Sequence, residues 1–187
     1  MRTLRALTPA LLLFGALLVP RPAPAQDDAD PQWTQHRQAF QGTWELAIPQ
    51  ARARAIVDRA IDQTVNAMSF FVRGIARPML RDNTPVNETI ALTFADDARR
   101  ITVVFDGRHR YTTPLGQTRT GRDFEGDELQ VTQRFRGDDL EQVFQADQGT
   151  RWNVYSLERE GRMTVTATTQ GDMMPQPMRF TLPYRRR

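Results

Sequence analysis

The side chains most often used in catalysis are sparse and scattered in this sequence. Its two histidines, His36 and His109, are far apart, and neither has a second His or a Cys at the spacing of a metal site. No Ser lies near either histidine in a nucleophile motif. The paired acids Asp96-Asp97 and Asp138-Asp139 fall in turns, where carboxylates hydrogen-bond to nearby backbone. The residues therefore predict no metal, no cofactor and no catalytic group, and a protein that is not an enzyme.

Binding chemistry is better represented, because apolar residues alternate with polar ones in short segments from residue 86 onward. We predict that the apolar faces of these segments line a cavity, as a binding site for a small hydrophobic molecule requires. The candidate lining residues of the segments are Phe105, Val131, Trp152, Tyr155 and Phe180. Gln133 and Ser156 interrupt the apolar faces, which fits either a cavity that holds some water or strand ends in solvent.

The elements that carry these residues are read as ten strands. Trp44, Leu46 and Ile48 alternate with smaller or polar residues in a first strand. Nine more strands are predicted at about 86–94, 100–106, 108–113, 118–124, 127–135, 139–146, 150–158, 162–170 and 177–184. Gly and Asp turns separate them, and connections this short make neighbouring strands antiparallel. Such a sheet leaves exposed edges unless it closes, so we expect the last strand beside the first.

One long amphipathic helix is predicted between the first two strands, from about residue 50 to residue 77. Apolar residues recur at spacings of three and four, and Gly74 and Pro78 end the pattern. If the sheet closes into a barrel, we expect this helix to lie across one mouth of the barrel as a lid, with apolar residues facing inward. The alternative is a helix that packs along the sheet. The candidate ligand-contacting residues of the helix are Met68, Phe71, Val72 and Ile75.

Residues 1–25 have the pattern of a cleavable export signal. Arg2 and Arg5 precede an apolar run, and Ala23-Pro24-Ala25 is a small-x-small cleavage site. The pattern predicts a periplasmic or secreted protein with no membrane span in the mature chain and, since no Cys follows, no lipid anchor. Residues 26–39 are expected to form a flexible leader, and residues 40–187 a single domain.

Charge gives no indication of a nucleic-acid partner once the signal is removed. All 25 basic residues are Arg, and loss of Arg2, Arg5 and Arg21 leaves 22 basic against 22 acidic residues. Apart from Arg185 to Arg187, the basic residues do not cluster.

Gly42 and Trp44, at the start of an antiparallel meander, resemble the entry to the barrel of lipocalins and fatty-acid-binding proteins. The resemblance implies a calycin-like up-and-down β-barrel of about 8–10 strands, ten being the number in fatty-acid-binding proteins. It also implies an Arg-x-Tyr pair on the last strand and an earlier Arg, which hold a ligand carboxylate. Arg179 matches the first position, whereas Thr181 replaces the Tyr. Arg134 and Arg151 are the earlier candidates, and Tyr155 or Tyr111 could supply a hydroxyl.

Two functions remain open on this basis. The first is an exported carrier of a small, lipid-like molecule held in the barrel. The second is an envelope interaction protein or inhibitor whose core is filled and whose helix or loops bind a protein partner. A connected cavity above about 300 Å³, the low end for ligand sites, would favour the carrier.

Overall fold

The computed structural model describes residues 30–159 and 161–187, so the predicted signal peptide and the start of the leader lie outside the described residues. Helices and strands follow one another in the order α1 (Pro31–Phe40), β1 (Gly42–Leu46), α2 (Gln50–Ala67), α3 (Phe70–Asp82), β2 (Thr89–Ala95), β3 (Arg100–Phe105), β4 (His109–Pro114), β5 (Thr118–Arg122), β6 (Glu128–Arg136), β7 (Asp139–Ala146), β8 (Gly149–Arg159), β9 (Arg162–Gly171) and β10 (Met178–Arg186).

All ten strands form one antiparallel sheet, in the order β4-β3-β2-β1-β10-β9-β8-β7-β6-β5. The last strand pairs with the first, Trp44 lying opposite Arg186. Strands β4 and β5 stand at the two ends of this order, and the segment between them bridges the gap through the Gly116 amide, which donates to the Gln133 carbonyl at 2.8 Å. The mainly β, up-and-down barrel predicted from the sequence is confirmed, and it is nearly closed.

The barrel core is built from the inward face of each strand. On β10, for example, Met178, Phe180, Leu182 and Tyr184 are buried, while the residues between them are half-buried or exposed. Trp44, on the first strand, is completely buried, as the alternation of its strand indicates.

Two helices, not one, connect β1 to β2, so the prediction of a single long helix was wrong. Met68 and Ser69 are extended, with ψ angles of 163° and 148°, and they separate α2 from α3. The side chain of Arg73 stabilises this break, because it donates to the carbonyls of Met68 at 3.0 Å and Asn66 at 2.9 Å. These carbonyls belong to the last turn of α2 and its cap, where the helix itself supplies no donors. Pro78 lies inside α3 rather than ending it.

Helix α1 covers one end of the barrel, which we call the closed end. Residues 26–39 were expected to form a flexible leader, but residues 31–39 are helical and Trp33 and His36 are buried there, beside the buried Phe40. The His36 ring stacks on Phe135 at 3.9 Å, and the Trp33 ring meets Phe94 edge-on at 5.7 Å. Asp30 caps the helix by accepting from the Gln32 amide at 3.0 Å. Aromatic burial and this cap explain why an otherwise polar segment is helical.

Candidate ligand cavity at the open end of the barrel

A cavity of about 550 Å³ lies at the end of the barrel opposite α1, which we call the open end. The C-terminal part of α3 borders it through Leu80, and the segment leading to β2 borders it through Asn83, Thr84 and Asn87. Its walls come from the inner faces of the strands, namely Phe105, Tyr111, Leu129, Phe144, Arg151, Asn153 and Thr169. This volume lies within the range of small-molecule sites, roughly 300 to 1,000 Å³.

Aromatic rings form one wall of the cavity. Tyr111 lies between Phe105 and Phe144, with centroid separations of 6.0 Å and 4.9 Å and interplanar angles of 64° and 76°. Edge-to-face contacts of this kind are a favoured aromatic geometry and hold the rings in fixed positions. The wall therefore offers a rigid apolar surface to a ligand.

Arg151 is the basic residue that faces this cavity. Its Nε donates to Asn153 Oδ1 at 3.1 Å. No carboxylate in residues 30–159 and 161–187 lies within 4.0 Å of the guanidinium, since the ion pairs of this part of the chain all involve other residues. Burial lowers the pKa of Arg151, but a guanidinium remains charged at any ordinary pH. The cavity thus contains a positive charge that no carboxylate of the described residues pairs with directly, which disfavours an empty, dry site.

The tyrosines around Arg151 are held in their neutral form. Burial is the largest cause raising the pKa of Tyr155, Tyr184 and Tyr111. The Tyr155 hydroxyl donates to Gln142 Oε1 at 2.7 Å, and the Tyr184 hydroxyl donates to the Asn87 carbonyl at 2.9 Å. Only Tyr111 of these three borders the cavity itself.

Acidic residues surround the mouth of the cavity on the turns β5–β6 and β7–β8 and at the first position of β6. They are Asp123, Glu125, Asp127, Glu128 and Asp147. Asp123 also orders its own turn, because its Oδ1 accepts from the amides of Glu125, Gly126 and Asp127 at 2.8 to 2.9 Å. A ligand that enters the cavity therefore passes a rim of negative charge before it reaches the positive charge of Arg151.

Of the candidate residues named from the sequence, Arg151 and Tyr111 border the cavity, and five more lie in the interior, although not all of those five reach the cavity. Phe105 borders the cavity, and Phe180 borders a void of about 20 Å³ beneath it. Val131 and Tyr155 are buried on the inner face away from both spaces. Met68 is buried in the core at the break between the two helices.

Three candidates on the strands face outward, so their predicted place in the cavity was wrong. Arg134 pairs with Glu141 on the outer surface, Nε to Oε2 at 2.6 Å. Arg179 is exposed between the buried Met178 and Phe180. Trp152 is half-exposed, because the buried Asn153 and Tyr155 place the opposite face of β8 inward.

Two candidates on the helix are also misplaced. Phe71 is 89% exposed and Ile75 is 73% exposed, whereas Val72 is half-buried and packs against the core. The two extended residues before α3 interrupt the helical phase that the sequence pattern assumed. Helix α3 buries Ala76 and Leu80 instead.

Sequence reasoning missed most residues that line the cavity, Asn153 and Phe144 among them, while Arg151 was named only as one of two alternatives. The signal for Arg151 and Asn153 lay in β8, where these two residues and Tyr155 alternate with Trp152 and Val154. Both faces of that strand mix polar and apolar residues, so periodicity could not decide between them.

The described part of the chain shows neither a metal-binding cluster nor a helix that could span a membrane. Residues 30–159 and 161–187 contain no group of three or more His, Asp or Glu placed to hold a metal ion. Within the same ranges, no helix combines the length and apolar character needed to cross a bilayer.

The fold is that of the fatty-acid-binding proteins, as solved structures show. A fatty acid binding protein of Schistosoma mansoni, in complex with arachidonic acid, has a TM-score of 0.50 and 16% identity over 81% of this chain and 98% of that chain. The fluorescent protein UnaG has a TM-score of 0.54 and 16% identity over 80% and 98% of the two chains. Lipid binding protein 8 of Caenorhabditis elegans has a TM-score of 0.50 and 9% identity over 80% and 96%. No family model and no curated protein matches the sequence.

Proposed function

We propose that this protein is exported, and that it binds a small amphipathic molecule with an anionic head group and carries it in the periplasm or outside the cell. The observation that supports this most directly is the Arg151 guanidinium, which faces a cavity of about 550 Å³ and has no carboxylate of the described residues within 4.0 Å. A ligand carboxylate or similar anion would supply a counter-charge, and its apolar body would pack on the aromatic wall of Phe105, Tyr111 and Phe144. The similar fatty acid binding protein of Schistosoma mansoni, solved in complex with arachidonic acid, supports the same ligand class.

A binding role rather than a catalytic one is part of this proposal. The residues that border the cavity include one Arg and several carboxylates, but the described lining holds no His, Ser, Cys or Lys. Nucleophile and base pairs are usually built from those types. The acidic rim stands on exposed turns, where carboxylates are well solvated.

The test is displacement of an apolar fluorescent dye by a long-chain fatty acid and by its uncharged methyl ester. Arg151→Met should weaken binding of the acid by about 10-fold to 100-fold, the usual loss for a charged hydrogen bond, and leave the ester unchanged. Arg179→Met is the matched control, since Arg179 is exposed on the outer face of the barrel. Equal affinities of acid and ester in the parent protein would contradict an anionic ligand.

Export remains a proposal that depends on residues 1–25, with the protein placed in the periplasm or outside the cell. Expression of the full chain in a bacterial host, followed by N-terminal sequencing of the periplasmic fraction, should give a start near Gln26. Material that starts at Met1 would contradict it.

A second candidate is an interaction protein, and one observation favours it. Phe70, Phe71 and Ile75 of α3 are 79%, 89% and 73% exposed, and they form an apolar surface on the outside of the molecule. Exposed apolar patches often mark partner contacts. The variant Phe71→Asp/Ile75→Asp should leave ligand affinity unchanged, because neither side chain borders the cavity. A loss of partner binding without a loss of ligand binding would favour this role.

A further inference from the structure

Gln142, on the inner face of β7, has an amide that the protein leaves half-satisfied. The residue is completely buried, and its Oε1 accepts from the Tyr155 hydroxyl at 2.7 Å. Its Nε2 is buried and has no hydrogen-bond partner among the described residues. Exchanging the amide O and N would not satisfy the side chain, because Oε1 would then occupy the position of Nε2 and would lack a hydrogen-bond partner in its place. A buried polar atom of this kind is uncommon in folded proteins and calls for a specific cause.

Gln142 does not itself border the cavity, but its neighbours do. It lies opposite Asn153 in the register of β7 and β8, and Asn153 borders the cavity. Phe144 follows Gln142 on the same face of β7, one step nearer the open end, and also borders the cavity. Gln142 therefore belongs to the layer directly beneath the cavity, and Arg151 lies one step above Asn153 on β8.

Gln133, the neighbouring buried amide, shows that the fold satisfies such groups where they are structural. It lies opposite Gln142 on β6 and is also completely buried. Its Oε1 accepts from the Thr113 hydroxyl at 3.3 Å, and its Nε2 donates to the Tyr111 carbonyl at 3.3 Å. Both ends of this amide are paired within the protein, in contrast to Gln142.

We infer that Gln142 is a second polar contact for the ligand, beyond the anionic group at Arg151. The ligand class is a long-chain acid with a hydroxyl or keto oxygen on the chain, which accepts a hydrogen bond from Gln142 Nε2. This inference rests on the proposed function and deepens it. The Cβ atoms of Arg151 and Gln142 are diagonal neighbours across two strands, roughly 7 to 8 Å apart, so the oxygen lies several carbons from the acid group.

Affinity measurements on matched acids test this inference. Stearic acid and a series of stearic acids with one keto group at successive chain positions would displace a fluorescent dye from the parent protein. We expect one keto position to bind about 10-fold more tightly than stearic acid, the effect of one hydrogen bond to an otherwise unpaired buried group. The other positions should bind no better than stearic acid, because their oxygen would not reach Gln142.

The variant for this test is Gln142→Met/Tyr155→Phe. It removes both partners of the internal hydrogen bond, so that no unpaired polar group remains at either position. It should abolish the keto preference and leave stearic acid affinity within about 3-fold of the parent, because an apolar pair of similar shape replaces the polar one. Circular dichroism and a melting curve check that the variant folds. Should folding fail, the parent series alone decides.

The outcomes separate the two proposals. If stearic acid binds and no keto position is preferred, or if the preference survives in the variant, the inference is overturned and the carrier function stands. If no acid displaces the dye, the proposed function fails, and this inference fails with it.

Discussion

The guanidinium of Arg186 lies over the indole ring of Trp44, its central carbon 4.6 Å from the ring centroid. The two residues are also register partners in the pairing of β1 with β10, the last strand in the sequence. Arg186 donates to the carbonyls of Gln41 and Ala39, and the Trp44 indole donates to the Phe40 carbonyl at 2.9 Å. These carbonyls lie at the C-terminal end of α1, where helices lack internal donors. The contact between Arg186 and Trp44 therefore takes part both in the pairing of the first and last strands and in the attachment of α1 to the barrel.

Replacement of Trp44 should strongly destabilise the fold. We expect Trp44→Ala to cost about 3 to 5 kcal/mol in the free energy of unfolding, the usual range for loss of a buried aromatic residue. Urea unfolding followed by circular dichroism would measure it. Trp152→Ala is the control, since Trp152 is half-exposed on the outer wall; its cost should be about 1 kcal/mol. Equal losses in the two variants would mean that Trp44 is not a core residue.

Gly149 and Gly74 should respond in opposite ways to the same substitution. A Cβ at Gly149 would lie 2.6 Å from the Gln170 carbonyl oxygen, a backbone atom that cannot move independently. Gly149→Ala should therefore destabilise by about 1 to 3 kcal/mol, as overpacking does. A Cβ at Gly74 would meet no heavy atom within 4 Å.

Gly74→Ala should instead stabilise α3 by up to about 1 kcal/mol, because Ala is the better helix former. Melting temperatures of the two variants, with amide hydrogen exchange across residues 70–82, would measure both effects. A stable Gly149→Ala variant would show that β8 and β9 separate more easily at the open end than their pairing implies.

Helix α3 depends on ion pairs with α2, since it buries only Ala76 and Leu80. Arg77 pairs with Asp62, and Arg81 pairs with Asp58 at 3.3 Å. Partly exposed pairs of this type contribute about 0.2 to 1 kcal/mol each and are weakened by salt. Asp58→Asn/Asp62→Asn should speed hydrogen exchange of α3 by about 2-fold to 10-fold. Added salt should speed exchange in the parent and change the variant little; Asp172→Asn, on the β9–β10 turn, is the control.

Attachment of α1 should weaken in acid through Asp96. The Trp33 indole donates to Asp96 Oδ1 at 3.1 Å and Arg37 to Oδ2 at 2.5 Å; these bonds lower the pKa of Asp96 below its usual 3.8. A carboxyl whose pKa is lower in the folded state stabilises above its unfolded pKa, and the effect is lost as pH falls through the folded value.

The comparison for that prediction is Asp96→Asn, which cannot ionise. Its difference from the parent in free energy of unfolding should be largest at about pH 5 and should shrink towards about pH 2. Hydrogen exchange of residues 31–40 would show whether the change is confined to α1. A difference that is constant with pH would mean that the carboxylate charge plays no part.

Local patterns in the sequence were sufficient to predict the ten strands. A period of two and a turn such as Asp106-Gly107 act over a few residues only; both residues adopt positive φ, 49° and 68°, as the tight turn requires. Short connections then made neighbours antiparallel, and the order with β1 beside β10 followed from the need to cover sheet edges. For the same reason the burial of Trp44 could be predicted, because the face of β1 is clear from its own residues.

Only the tertiary structure decided which face of β8 points inward and where the helix breaks. Arg151, Asn153 and Tyr155 are no more apolar than Trp152 and Val154, so neighbouring strands β7 and β9, through their register, select the inner face. Likewise, the apolar period continues unbroken through Met68 and gave no sign of two helices. The break is stabilised by Arg73, which donates to the carbonyls of Met68 and Asn66, and the sequence pattern does not predict these hydrogen bonds. Pairing with strands distant in sequence decides the inner face of β8, and side-chain contacts across the break decide where the helix ends, because the local free-energy differences between the alternatives are small.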